Sequence, residues 1–270
     1  MGSQISEKHQ QILDRFVDAC RADERVVAAF LIGSNAKGSA DERSDLDLYV
    51  VTTDDAYDDF VAGREAFARL LGEPLFIEDF DLPDIVFLIY PDASEVEIYF
   101  ARESQLAHVF NAPYKVLLDK KNIAANIVSY QPEFDSEKQK EKLRRLIHWF
   151  WHDFSHFVTA LGRGQLWAAR GQLDVLRAIC VGLARLRNDF TDPDIEGEDV
   201  YFKIEQAMPV EQLALLPTTF CPLDREAMLE SAFILIRFYR DLAADLTAKY
   251  GIPYPERLEQ AMVERVEKLR

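Results

Sequence analysis

The spacing of apolar residues changes near Pro132, and this change constrains the fold more than any other feature of the 270-residue chain. Before it, short apolar runs bounded by Gly, Ser and Asp alternate with brief helical stretches. After it, apolar residues recur at helical spacing over long segments that Gly and Pro interrupt. We therefore predict an α+β protein of two domains: a small mixed sheet with flanking helices in residues 1–132, followed by an all-α helical bundle in residues 133–270.

The same patterns predict the individual elements. In the first domain the predicted order is helix, strand, strand, helix, strand, strand, at residues 5–22, 26–33, 45–52, 56–71, 84–90 and 95–101. The last two strands form a hairpin. In the second domain the predicted helices cover residues 136–161, 165–188, 201–215, 224–249 and 255–269.

Charge and composition restrict the possible partners and the compartment. The chain has 31 basic and 47 acidic residues, and the segment up to Pro132 holds 12 of the basic and 24 of the acidic ones. Such a protein repels a nucleic-acid backbone and attracts a cationic small molecule. Its three cysteines are far apart, which argues against a zinc site or a disulfide framework. With no membrane-spanning apolar stretch and no secretion signal, we expect a cytoplasmic protein without a membrane partner. Residues 1–6 match the short myristoylation pattern, which also recurs by chance.

Two aspartates lie in the apolar segment 45–52. Because side chains alternate along a strand, Asp45 and Asp47 point the same way, while Leu46 and Leu48 point into the core. Two adjacent carboxylates repel each other unless a cation neutralises them, and magnesium prefers oxygen ligands of this kind. The pattern therefore indicates a metal site; the alternative is a polar strand edge or an Asx-capped turn.

The end of the preceding strand favours the metal interpretation. Gly33 permits a tight turn and a close approach of the backbone to a phosphate group. The hydroxyl of Ser34 and the amides that follow it are suited to hold phosphate oxygens.

Together these residues resemble a known signature. Ile32-Gly33-Ser34, ten intervening residues and Asp45-Leu46-Asp47-Leu48 are similar to the motif of the DNA polymerase beta-like nucleotidyltransferase superfamily. That family carries a third carboxylate between apolar residues on a later strand, and Val96-Glu97-Ile98 has this form. Glu95 would share the face of Glu97, but it follows Ser94 at the strand entrance and fits less well.

The resemblance implies a two-metal mechanism. Asp45, Asp47 and Glu97 would hold two Mg²⁺ ions that orient a nucleoside triphosphate, and an acceptor hydroxyl would attack its α-phosphorus. It also implies that Lys37 and Ser44, which lie inside the signature, bind the nucleotide together with Gly33 and Ser34.

For two of the loop residues a simpler interpretation exists. Lys37 fits equally well as a solvated loop lysine. Arg43 fits best as a surface residue.

The layout of the whole chain resembles the aminoglycoside and lincosamide nucleotidyltransferases. The stretch from Arg163-Gly164-Gln165 to residues 174–177 is similar to a helix of those enzymes, although its glutamine replaces their usual glutamate. The resemblance implies a general base in the second domain, and Asp174 is the candidate because it interrupts an apolar helix. The alternative is a salt bridge from Asp174 to Arg170 or Arg177 at helical neighbour positions.

Three histidines, His148, His152 and His156, recur every four residues in the same domain. A pair at this spacing can bind zinc, but no Cys or Glu completes an evident ligand set. We interpret them as polar positions beside an aromatic stripe. The stripe residues predicted in the core are Trp149, Phe150, Phe154 and Phe157. The acidic loop 189–199 is expected to be solvated, or to attract a polycationic acceptor.

The favoured function is a magnesium-dependent transfer of a nucleoside monophosphate, adenylate from ATP, to a hydroxyl of a small cationic acceptor such as an aminoglycoside. The alternatives are a lincosamide nucleotidyltransferase, a toxin–antitoxin-type adenylyltransferase of protein or RNA, and a non-catalytic nucleotide-binding regulator. The intact set of Asp45, Asp47 and Glu97 argues against the last.

Overall fold

The computed structural model describes residues 7–108, 113–127 and 133–270. The chain divides into two compact units, Met1–Pro132 and Glu133–Arg270. The possible myristoylation pattern at residues 1–6 lies outside the described residues. Within the described ranges, no helix has the length and apolar character needed to cross a lipid bilayer.

The first unit is a mixed sheet with helices, as predicted. Its helices are α1 (Glu7–Ala22), α2 (Gly33–Lys37), α3 (Tyr57–Ala62) and α4 (Arg64–Arg69). Its strands are β1 (Val26–Leu31), β2 (Leu46–Thr52), β3 (Phe76–Glu78), β4 (Ile85–Ile89), β5 (Glu95–Arg102) and β6 (Lys115–Asp119). The strand order is β3-β4-β5-β2-β1-β6, with β2 and β5 parallel and the other neighbours antiparallel.

The local sequence pattern did not predict all the helices and strands of this unit correctly. The predicted helix 56–71 is two short helices, α3 and α4, that meet at Gly63. The sequence analysis did not find β3 and β6, which are the two edge strands of the sheet. Both are short, with three and five residues, and neither has a fully buried residue. Their pairing with β4 and β1 defines them, and such pairing is invisible to a local apolar pattern.

One face of the sheet packs against the helices of the unit. Leu46 and Leu48 on β2 have no exposed surface and join Val96 and Ile98 of β5 in this core. Phe16 of α1, Phe60 of α3 and Phe67 of α4 belong to the same cluster. The prediction that the two leucines point into the core is therefore confirmed. Because side chains alternate along a strand, Asp47 projects from the opposite face of the sheet.

The second unit is helical, as predicted. Its helices are α5 (Ser136–Gly162), α6 (Leu166–Asn188), α7 (Ile204–Ala207), α8 (Val210–Leu215), α9 (Arg225–Tyr250) and α10 (Glu256–Glu267). The predicted single helix 201–215 is instead two short helices, α7 and α8. Pro209 lies between them with an extended backbone, φ −60° and ψ 151°. Proline has no backbone N–H to donate to a helical hydrogen bond, so the helix is interrupted there.

The aromatic stripe of α5 differs in one residue from the prediction. Phe150, Phe154 and Phe157 are fully buried, as expected. Trp149 is 51% exposed, so its assignment to the core was wrong, and Trp151 is buried instead. The buried face of α5 runs through residues 150, 151, 154 and 157, which share one side of a helix. Trp149 lies outside that face.

The acidic loop 189–199 is anchored rather than simply solvated, which corrects the expectation. Arg185 of α6 is 4% exposed and pairs with Asp192 at 2.9 Å and Asp194 at 3.3 Å. Glu196 pairs with Arg145 of α5. A buried guanidinium is stable only with a countercharge, and the loop supplies two carboxylates for it.

Candidate active site

The parallel pairing of β2 and β5 sets two of the predicted carboxylates side by side. Asp47 lies directly opposite Glu97 in the strand register, and Leu46 lies opposite Val96. Asp45 immediately precedes β2. Neighbouring strands are separated by about 4.8 Å, so the carboxylates of the two strands share one small area of the sheet face. The structure thus places all three predicted metal ligands near the starts of β2 and β5, with Asp47 and Glu97 side by side.

Crowding of negative charge is evident at Asp47. Burial, and then the charges of Asp45 and Glu97, raise the pKa of Asp47 from its usual 3.8 to about 6, while the ammonium group of Lys37 partly opposes the shift. Within the described part of the chain, the oxygens of the three carboxylates do not all lie within 4.8 Å of one another. Carboxylates of like charge repel one another, and a cation bound among them would relieve this repulsion.

A tyrosine that the sequence analysis missed orients Glu97. The hydroxyl of Tyr99 donates a hydrogen bond of 2.5 Å to Glu97 Oε2. Burial raises the pKa of Tyr99, which keeps this donor protonated. Its ring stacks on Tyr49 of β2, with the ring centres 5.8 Å apart. The sequence indicated that this contact was possible, because residues 97 and 99 share one face of a strand.

The turn at Gly33 touches the carboxylates. Gly33 has φ +65°, and a Cβ atom on it would lie 1.7 Å from Asp47 Oδ2. The preceding residue, Ile32, donates its backbone N–H to the carbonyl of Asp47 at 3.0 Å. Only glycine fits this position, because any side chain would collide with the aspartate. The backbone therefore lies directly against the proposed metal ligand.

Ser34 and the carboxylates suit a metal-bound phosphate. The hydroxyl oxygen of Ser34 is buried and has no hydrogen-bond partner among the described residues. A buried polar group without a partner is costly, so a phosphate oxygen at this point would stabilise it. The carboxylates form an all-oxygen donor set, which is the set that magnesium prefers. The residues present therefore fit both groups.

A second residue that the sequence analysis missed is Asn35. It is 3% exposed, and its Nδ2 donates a 2.7 Å hydrogen bond to the backbone carbonyl of Asp45. Lys115 of β6 donates from Nζ to the carbonyl of Asn35 at 3.0 Å. These bonds fix the start of β2, where the first carboxylate lies. The sequence alone showed only an asparagine directly after Gly33-Ser34.

The other predicted nucleotide-binding residues lie in and near the loop before β2. Lys37 is exposed at the end of α2, and its charge acts on Asp47. Ser44 Oγ accepts from the backbone N–H of Asp41 at 2.9 Å and donates to Asp41 Oδ1 at 3.3 Å, so it stabilises the loop. Arg43 is exposed and pairs with Glu42. Nucleotide binding by Lys37 and Ser44 stays a prediction.

The predicted general base lies on α6 and makes ion pairs. Asp174 contacts Arg177 and Arg170, the second at 3.3 Å, and both contacts are to the same oxygen, Oδ1. Arg177 is buried and donates from Nε to Thr219 Oγ1 at 2.7 Å. The ion pairs expected at these helical positions are therefore present. A role as general base stays a prediction. Because both arginines contact Oδ1, the other oxygen, Oδ2, is compatible with accepting a proton.

The family match defines the class of protein. A family model described as streptomycin adenylyltransferase matches residues 6–269, nearly the whole chain. The protein is therefore a nucleotidyltransferase. It belongs to the streptomycin adenylyltransferase family.

Three solved structures are similar to the chain. An aminoglycoside 6-adenyltransferase from Bacillus subtilis is 16% identical, with 98% of each chain covered and a TM-score of 0.40. A nucleotidyltransferase-like protein from Exiguobacterium sibiricum is 13% identical, with 90% of this chain and 77% of that chain covered and a TM-score of 0.37. A STING-associated c-di-GMP synthase from Capnocytophaga granulosa is 13% identical, with 90% and 81% covered and a TM-score of 0.30. No curated protein matched the chain.

The two glutamates of β5 should differ sharply in their effect on turnover. We expect Glu97→Gln to lower turnover at least about a hundredfold, because it removes one charge from the proposed metal site. Glu95→Gln is the matched control, since Glu95 lies two residues away on the same face and is exposed. It should keep most of the activity. The measurement is steady-state turnover with saturating magnesium, and the reverse ranking would assign the third ligand to Glu95.

Proposed function

We propose that this protein transfers adenylate from ATP, in a magnesium-dependent reaction, to a hydroxyl of a small cationic acceptor such as an aminoglycoside antibiotic. The observation that carries the proposal is the register of Asp47 against Glu97, with the Gly33 turn lying against Asp47. The family description names an aminoglycoside, streptomycin, as its acceptor. In this proposal residues 1–132 form the catalytic domain and residues 133–270 form the acceptor-binding domain.

Three carboxylates form the proposed metal site. Asp45, Asp47 and Glu97 hold two Mg²⁺ ions, and Tyr99 keeps Glu97 oriented. Magnesium bound there supplies the positive charge that stabilises the triphosphate and its leaving pyrophosphate.

The turn next to the carboxylates forms the proposed phosphate site. Gly33 allows the backbone to approach the phosphates, and the buried hydroxyl of Ser34 donates to a phosphate oxygen. Lys37 and Ser44 complete the proposed nucleotide-binding set.

Charge supports a cationic acceptor. The chain carries 31 basic and 47 acidic residues, a net charge of −16. A field of this sign attracts an aminoglycoside, which carries several ammonium groups, and repels polyanions. Asp174 is proposed as the general base that accepts the proton of the acceptor hydroxyl.

Direct product analysis tests the proposed function. The protein is incubated with Mg²⁺, each of the four nucleoside triphosphates in turn, and a panel that includes aminoglycosides and lincosamides. Mass spectrometry should show an aminoglycoside that has gained one adenylate, with pyrophosphate released. The same mass increase on a lincosamide would identify that class as the acceptor instead. No modified compound with any triphosphate would contradict the proposal.

Triphosphate binding should depend on magnesium. The segment up to Pro132 has 12 basic and 24 acidic residues, so it repels a free polyanion unless cations neutralise the carboxylates. We expect calorimetry with a slowly hydrolysed ATP analogue to show binding in Mg²⁺ and at least about tenfold weaker binding in excess chelator. Equal affinity in the two conditions would contradict this prediction.

Asp174→Asn should lower kcat at least about tenfold and change KM little, because a general base acts mainly in the transition state. The substitution also weakens two ion pairs, so the melting temperature is measured in parallel. Arg170→Gln is the control, since it removes one of these ion pairs and keeps the carboxylate. It should retain turnover. If Asp174→Asn keeps full turnover but melts at a lower temperature, Asp174 has only a structural role through its ion pairs.

A further inference from the structure

A group of side chains on α5 has no part in the proposed reaction. In the ranges covered by the structure, one set of three potential metal ligands has a ligand atom from each residue within 4.8 Å of the other two. The set is His152, Asp153 and His156. Asp153 was not expected from the sequence, where no Cys or Glu completed a set with the histidines.

Helix geometry explains why these three residues meet. His152 and His156 are four residues apart, and Asp153 and His156 are three apart, so each pair lies on neighbouring turns of one face. The imidazole rings of the two histidines have centres 4.7 Å apart. His152 Nδ1 lies 3.0 Å from Asp153 Oδ1. The ligand atoms thus already form a compact triangle.

The helix that carries the group is anchored by packing on its other side. Its opposite face is packed in the core, where Phe150, Trp151 and Phe154 are fully buried. Of the ligands, the side chain of Asp153 is only 20% exposed, whereas that of His152 is 60% exposed. The carboxylate is therefore partly fixed by its surroundings, and the imidazoles stay accessible to a cation from solvent. A preorganised site of this kind loses little entropy when an ion binds.

The chemistry of the ligands selects the ion. Two imidazoles and one carboxylate are a typical set for Zn²⁺, Ni²⁺ or Cu²⁺, whereas magnesium prefers an all-oxygen set. Three protein ligands leave a coordination position for water or another donor. We propose that His152, Asp153 and His156 bind a divalent transition-metal ion, with Zn²⁺ as the expected physiological ion, and that Asp45, Asp47 and Glu97 are not among its ligands.

The site borders a groove in the same unit. His152 and Asp153 line an open groove of about 650 Å³ between α5, α6, residues 195–197 and Val200, and its apolar lining includes Val175 and Ile179. A metal ion on the triangle therefore lies at the edge of this groove. A fourth ligand to such an ion would come from water or from a donor atom of a molecule in the groove.

Zinc titration of the untagged 270-residue protein tests the proposal. Millimolar Mg²⁺ is present throughout, so that magnesium occupies the carboxylate site while the nitrogen ligands stay available. We expect calorimetry to show one equivalent of Zn²⁺ bound with a micromolar dissociation constant. His156→Ala should weaken the affinity at least about tenfold, since it removes a direct ligand. His156 is exposed, so the variant should keep its fold, which circular dichroism checks.

His148→Ala is the matched control. His148 lies on the same helix, four residues before His152, and is outside the triangle. This variant should bind Zn²⁺ like the wild type, and so should Asp47→Asn. Equal affinity of His156→Ala and the wild type would overturn the proposal. A loss in His148→Ala as large as in His156→Ala, or a loss confined to Asp47→Asn, would also overturn it.

Copper spectroscopy gives a readout that is independent of affinity and of enzyme activity. Cu²⁺ bound to the wild type should show electron paramagnetic resonance couplings from two imidazole nitrogens. The spectrum of His156→Ala should show one nitrogen fewer. A wild-type spectrum without nitrogen coupling would place the ion on carboxylates and reject the site.

Discussion

Asp47→Asn is expected to lower turnover by at least about a thousandfold while the protein stays folded. The substitution keeps the shape of the side chain and removes a charge that the proposed metal site needs. Asp45→Asn should lose activity for the same reason. Steady-state kinetics at saturating magnesium and ATP gives the measurement.

The same substitution should stabilise the metal-free protein. The folded protein raises the pKa of Asp47 to about 6 from the usual 3.8, so the folded state disfavours the ionised carboxylate. In this case the native state binds more protons than the unfolded state, and the stability of the wild type falls as pH rises from about 4 to about 6. Neutral Asn does not undergo this loss. In chelator at pH 8 we expect Asp47→Asn to melt several degrees above the wild type, and the difference should disappear below about pH 4.

Glu42→Gln is the control for both effects. It removes one negative charge from the exposed loop before β2, where Glu42 pairs only with Arg43 among the described contacts. It should change neither turnover nor the pH profile of melting. Wild-type turnover in Asp47→Asn would reject the metal site. An equal gain in melting temperature at every pH would show that charge repulsion at Asp47 is not the cause.

Gly33→Ala is expected to lower turnover by at least about a hundredfold. The new Cβ would lie 1.7 Å from Asp47 Oδ2, so either the turn or the aspartate must move. A displacement of about 1 Å in a catalytic group can cost a hundredfold in rate. The positive φ of 65° adds backbone strain of about 1–2 kcal/mol, because L-residues disfavour this region.

Gly38→Ala separates the two causes. Gly38 has a similar φ of +76°, but its Cβ would have no atom within 4 Å. This variant should lose a comparable amount of stability through backbone strain and keep its turnover. Thermal melting and steady-state kinetics are measured for both variants. Equal loss of turnover in the two would attribute the effect to strain in the α2 segment, whereas full activity in Gly33→Ala would contradict the close contact with Asp47.

The sequence alone determined the features that depend on neighbours along the chain. Alternation in strand 45–52 predicted that Leu46 would be buried and that Asp45 and Asp47 would share a face. The long helical periods after Pro132 predicted α5, α6 and α9 closely, because an amphipathic helix repeats its burial pattern over many turns. The Gly33-Ser34 pair identified the turn before the aspartates. Each of these patterns relates residues that are only a few positions apart, so it is visible in the local sequence.

Tertiary structure decided which distant residues meet. The parallel register that sets Asp47 beside Glu97 joins strands about fifty residues apart, and many other registers would satisfy the same alternation. The hydrogen bond from Asn35 to Asp45 and the exposure of Trp149 were likewise not visible in the local sequence pattern. Strand pairing and helix packing are selected by the total burial of the folded chain, to which every segment contributes. A local pattern therefore shows which side chains share a face, and only the fold determines what that face meets.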